Sequence, residues 1–186
     1  MSTLSIPRPS ADESAPFYHG YIAEVRSERI GELLVEQLAE LETLLADLDD
    51  PAARFRYAAD KWSVKEVLGH LADTERIFSY RLLRVARGDT TPLPAFDENA
   101  YVPAGRFDER PLGSIVAELR AVRRSTTELA EGLEPDAWSR RGQASGKTIS
   151  ARALAYIIVG HVAHHLRVLR DRYRLGSRSA AQATGR

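Results

Sequence analysis

The chain contains no cysteine at all. Disulfides, thiolate metal ligands and a cysteine nucleophile are therefore excluded, and any thiol in its chemistry must arrive with a substrate. Long apolar runs are missing too, so nothing in the sequence is suited to spanning a bilayer. Neither charge sign is in excess: Lys plus Arg and Asp plus Glu both number 26, which removes the electrostatic reason to expect a nucleic-acid or anionic-membrane partner. The start, Met1 to Pro7, has no apolar signal core, and a cytoplasmic protein is expected. Gly-rich phosphate loops, a Gly-x-Ser-x-Gly elbow and a His-Glu-x-x-His motif are all absent. Sustained strand alternation and internal repeats are absent as well. What remains is a chain of 186 residues, 44% of them hydrophobic, which is enough for one domain with a real core.

Helical periodicity organises most of the chain. Residues 1–16 hold Pro7, Pro9 and Pro16 among small polar residues and read as an extended arm, its end pinned to the body by Phe17, Tyr18 and Tyr21. A first helix is expected over residues 27–48, where Ile30, Leu34, Leu38, Leu41, Leu45 and Leu48 form a stripe. A second spans residues 63–87, opened by a Ser63/Glu66 capping box and stopped by Gly88. Residues 88–110 form a long connection with Phe96, Tyr101 and Phe107, which predicts packing over another part of the molecule. The third helix starts at Pro111 and ends near Gly132; the fourth covers residues 150–173. Residues 17–175 thus read as an all-α four-helix bundle with a long crossover between helices two and three, long enough to make those two helices parallel. Residues 176–186 read as a frayed tail, and the Arg-rich stretches 120–124 and 167–174 as solvated helix backs.

Histidine carries the chemistry. His161 and His165 stand four residues apart and share one helical face, in line with the core residues Leu154, Ile158 and Leu166. A single buried imidazole is most simply a hydrogen-bonded core residue. Two on one buried face are costly unless something electron-poor lies between them, and a divalent cation is the natural candidate. His164 also lies one turn from His161 and is the rival; His165 continues the apolar line toward Leu169. His19, in the arm, reads as surface. On helix two a semi-polar line of Glu66, His70, Asp73, Thr74, Ile77 and Arg81 lies beside the apolar stripe, and His70 there is the third candidate ligand. Asp73, one turn along, is expected to support His70 from behind.

The run Lys61 to Glu75, with Trp62-Ser63 and Gly69-His70-Leu71, followed by Tyr80-Arg81, Gly88-Asp89 and Pro92, resembles the helix-two signature of the DinB/YfiT-like superfamily. Gly160-His161-Val162-Ala163-His164-His165 is similar to the final-helix motif of that family. The resemblance covers about residues 17 to 173. It implies a bundle with a long crossover, a homodimer, and one divalent metal ion (nickel, zinc, iron or manganese) held by His70, His161 and His165. It also implies either transfer of a low-molecular-weight thiol, of the bacillithiol or mycothiol kind, to a small electrophile, or metal-dependent hydrolysis. A non-catalytic, metal-binding stress-response bundle is the alternative. Three neutral imidazoles leave the cation's charge uncompensated, which favours an anion beside it and makes a bound water or thiol more acidic.

Overall fold

The computed structural model describes residues 4–176. Six α-helices are present among them: α1 (His19–Glu24), α2 (Ile30–Leu45), α3 (Val64–Ala86), α4 (Glu98–Gly105), α5 (Leu112–Glu131) and α6 (Ala151–Asp171). The four long ones, α2, α3, α5 and α6, form the bundle. The expected tail, from residue 177 onward, lies outside the described residues.

Side-chain pairings fix the directions. Lys65 Nζ donates to Arg110 O at 2.6 Å, Arg76 pairs with Glu118 at 2.6 Å, and Arg123 pairs with Glu75, so α3 and α5 run parallel. Tyr173 Oη donates to Trp62 O at 2.6 Å at one end of α6, and Arg140, before its start, donates to Ala86 O at the other, so α6 opposes α3. Leu34, Glu42 and Asp50 meet Arg123, Arg120 and Leu112 in turn, so α2 opposes α5. The order is up, down, down, up, as a crossover between the second and third bundle helices requires.

Local signals explain most helix ends. Ser63 Oγ accepts from Glu66 N at 3.1 Å and Ser63 N donates to Glu66 Oε2 at 2.8 Å, the expected capping box. Gly88, at φ +76°, closes α3. Ser150 Oγ accepts from Ala153 N at 3.0 Å and caps α6. The first bundle helix is shorter than its periodicity suggested and begins at Ile30, and Pro111 is the cap of α5, not its first turn.

Three features depart from the sequence expectation. Residues 4–18 are not a bare extended arm: they include 3-10 turns at Ala11–Glu13 and Pro16–Tyr18, and Ile6, Glu13 and Ala15 are buried. The 88–110 connection contains α4 and seats Phe107 in the core. Before α6 stands a hairpin, β1 (Arg141–Ala144) and β2 (Lys147–Ser150), paired Arg141↔Ser150 to Ala144↔Lys147. Strands of four residues are too short to show an alternating pattern.

The core is divided. One apolar cluster holds Leu34, Phe78, Leu82, Leu154 and Ile158; the other holds Leu41, Leu68, Leu71, Ile115 and Leu166. Between them lies a polar layer. Arg123, expected on a solvated helix back, is buried and pairs with buried Glu75 at 2.7 Å. It also donates to Leu34 O (3.2 Å) and Gln37 Oε1 (3.1 Å), and Gln37 Nε2 donates to Val159 O at 2.8 Å. One network therefore joins α2, α3, α5 and α6. Removing one partner of a buried pair strands the other charge. Arg123→Met is expected to lower unfolding free energy by about 3–5 kcal/mol, and adding Glu75→Leu to recover much of that. Urea denaturation of both variants measures it; equal losses in single and double variants would contradict it.

Candidate metal centre

Gly69-His70 on α3 and Gly160-His161 on α6 are the same dipeptide used in the same way. A Cβ on Gly69 would stand 2.3 Å from the Phe107 ring, and one on Gly160 only 2.0 Å from the carbonyl oxygen of Tyr21. The first glycine admits the connection against α3. The second lets α1 lie on α6, which brings the Tyr21 ring against His161 and His164. Backbone cannot yield as a side-chain tip can, so the second contact is the stricter.

Between these glycines the two helices converge. His70 Nε2 lies 3.0 Å from His161 Nε2. One ring nitrogen from each of His70, His161 and His165 falls within 4.8 Å of the others. Ring centres are 4.9 Å apart for His70–His161, 5.1 Å for His70–His165 and 4.6 Å for His161–His165. His70 and His161 are buried, and His165 Nδ1 is a buried nitrogen with no hydrogen-bond partner. Thr74 Oγ1 lies 3.3 Å from His70 Nδ1. Accepting from Nδ1–H, it leaves the Nε2 lone pair facing the trio.

Burial sets the protonation. It drives the His70 imidazole down to about 4. His161 and His165 are held well below the ordinary value, by burial first and then by the neighbouring imidazoles. At neutral pH the three are uncharged, and each brings one ring nitrogen to the same place. An orphaned buried nitrogen beside two converging neutral imidazoles is the donor set a divalent cation requires.

The trio is the set expected from the sequence; the rest of the surroundings is partly different. Half-buried His164 sits beside the trio, with Nδ1 3.2 Å from Arg167 Nη2, and is not a member of it. His19 Nε2 lies 3.2 Å from Ala11 O, away from the centre. Asp73 is not behind His70: its carboxylate turns to Arg76 at 3.4 Å. Thr74, at i+4, occupies that place. Both residues are about one turn from His70, and the i+4 neighbour is the one the helix sets against the ring. Trp62, ring centre 4.7 Å from His70, was not anticipated either.

The trio forms part of the wall of a pocket of about 560 Å³. Aromatic rings of Phe17, Tyr18, Tyr21, Trp62, Phe78 and Phe96 line much of the remainder, with Thr74, Glu98 and Ser145. The expected packing of the 88–110 connection is thus realised by Phe96 and Glu98 on the pocket and Phe107 in the core.

A model of the DinB superfamily matches residues 33–169. The chain belongs to the DinB superfamily. Among solved structures it is similar to YfiT from Bacillus subtilis, described as a probable metal-dependent hydrolase with an unusual four-helix bundle topology. The TM-score is 0.69 at 20% identity, over 90% of this chain and 92% of that one. No curated protein matches the sequence. As a DinB-type bundle with a three-histidine cluster, the chain fits a metal-dependent protein. Among the described residues no helix is long and apolar enough to cross a membrane.

Two outcomes follow from this geometry. Gly160→Ala is expected to cost about 3 kcal/mol, because the Tyr21 carbonyl must move. Gly20→Ala, with nothing within 4 Å of the new Cβ, should change little; equal thermal midpoints for the two variants would contradict the packing account. The second outcome concerns acid. A histidine whose folded value is depressed stabilises the fold fully above its unfolded value, and that contribution is lost as protons bind the unfolded chain. Metal-free protein should therefore lose stability from about pH 6.5 down to about pH 4, by on the order of 3 kcal/mol from His70 alone. Glu13 falls in a lower window. Burial raises its carboxyl, but Arg152 and the backbone N–H of Ser10 outweigh that and hold it at about 2, so its contribution is complete above about 4.5 and lost toward 2. Urea midpoints against pH separate the two windows; a flat profile from 6.5 to 4.5 would contradict the histidine assignment.

Proposed function

We propose that this chain is a divalent-metal-dependent enzyme that joins a low-molecular-weight thiol to a small apolar electrophile. The observation that carries the reading is the set of three neutral imidazoles in the wall of an open, aromatic pocket. A structural zinc site is normally closed by four protein ligands. Here three nitrogens stand together and the remaining side faces a space large enough for two small molecules, which argues against the non-catalytic reading. A divalent ion held by His70, His161 and His165 supplies Lewis acidity, which makes a neighbouring thiol or water more acidic.

The chain's own residues do the rest. Thr74 fixes the His70 ring. Trp62 and Phe78 flank His70 and His161 and keep bulk water from them. Phe17, Tyr21 and Phe96 offer apolar faces to the electrophile. With no cysteine in the chain, no protein thiol competes with the substrate thiol. Hydrolysis is the second reading, supported by the likeness to YfiT. Two further expectations belong to this proposal: a homodimer, which rests on the family resemblance, and a cytoplasmic setting, expected from the sequence.

Elemental analysis of protein purified without a histidine tag is expected to give about one divalent metal per chain, lost in His161→Ala. Conjugation of several thiols to a chloronitrobenzene should depend on that metal and fall at least about a hundredfold in His161→Ala. Thr74→Val should weaken metal binding about tenfold. Turnover of aryl esters without thiol consumption would replace transfer by hydrolysis. Absence of stoichiometric metal would overturn both.

A further inference from the structure

Arg81, expected on a semi-polar helix face, is 2% exposed, and among the described residues it forms no ion pair. Its guanidinium lies against the faces of Phe78 and Phe96, 5.5 and 5.6 Å from the ring centres. It donates to Pro94 O at 2.7 Å and Ser145 Oγ at 3.2 Å, and makes a longer approach of 3.5 Å to Tyr18 Oη. A guanidinium has donors only. Tyr18 and Ser145 therefore meet it with lone pairs, and each keeps its own proton free for another acceptor. Both residues line the pocket that holds the three histidines.

The backbone is bent to this arrangement. Ser145 has φ +54° and Gly146 φ +71°, a two-residue hairpin turn in which asparagine or glycine would normally take the first position. Ser145 N donates to Leu93 O at 3.0 Å, which ties the turn to the segment carrying Pro94 and Phe96. Burial holds the Tyr18 phenol above its ordinary value, with Arg81 acting against it and Glu98 with it, so the hydroxyl stays protonated. Glu98, the one carboxylate lining the pocket among the described residues, is half-exposed at the start of α4.

We propose that the Tyr18 and Ser145 hydroxyls, polarised by the uncompensated charge of Arg81, form an oxyanion subsite that receives the carboxylate of an otherwise apolar substrate. This deepens the proposed function by naming a substrate class, and it is built from residues outside the trio.

Binding of phenylacetate and of uncharged phenethyl alcohol to the metal-stripped full chain, followed by calorimetry, tests it. The acid is expected to bind about tenfold more tightly than the alcohol. The double variant Tyr18→Phe/Ser145→Ala takes two acceptors from buried Arg81 and should melt lower; it should lose that preference while retaining alcohol binding, which shows that the pocket is still folded. Equal affinities, no binding of the acid, or a preference that survives in the double variant would overturn the subsite. So would a preference seen only after metal loading, which would place the carboxylate at the histidines and leave the metal reading intact. If the wild-type chain itself binds no metal yet shows the preference, the subsite stands and the metal reading falls.

Discussion

Everything around the candidate metal centre depends on the desolvation of three imidazoles. In water each would take up a proton as the pH falls through about 6.5; packed between α3 and α6 they stay neutral well below that. Burial takes away the charge but leaves each ring a basic nitrogen, and the fold brings those nitrogens together. His165 Nδ1 is left with no partner. A fold that buries such a group without a ligand loses stability, whereas one that binds a cation there converts the loss into affinity.

Holding the trio together is a matter of registering two helices. The buried Arg123–Glu75 pair, through Gln37 and the Val159 carbonyl, reaches α6 two residues before His161. Glu75 lies five residues after His70 on α3. The polar layer between the two apolar clusters thus sets the same level in the bundle that the histidines occupy. Specificity of register is a reasonable use for a buried pair whose net contribution to stability is small. The two Gly-His dipeptides add the lateral fit: each glycine lets an outside element close onto the helix just beside a histidine of the trio.

Much of this was legible in the sequence because it is periodic. Stripes such as Leu34–Leu41–Leu45 and Leu154–Ile158–Leu166 reveal helices, and the i, i+4 spacing of His161 and His165 reveals a shared face. Family resemblance pointed to the same trio. What periodicity does not reveal is what long-range contacts decide. Arg81 and Arg123 look like surface residues by type, and only their partners Pro94, Ser145, Glu75 and Gln37, distant in sequence, make burial tolerable. Asp73 was the expected support for His70 because it stands one turn along, and Thr74, one residue further, takes that place. The hairpin at 141–150 was too short to announce itself. Gly160 looks like an ordinary helix glycine until the Tyr21 carbonyl is placed against it.

X-ray absorption spectroscopy of the metal-loaded protein tests the central claim most directly. The account predicts a scattering pattern of three imidazole rings about one metal, completed by light donors, with one ring fewer in His165→Ala. A spectrum without imidazole scattering, or one unchanged in that variant, would contradict it.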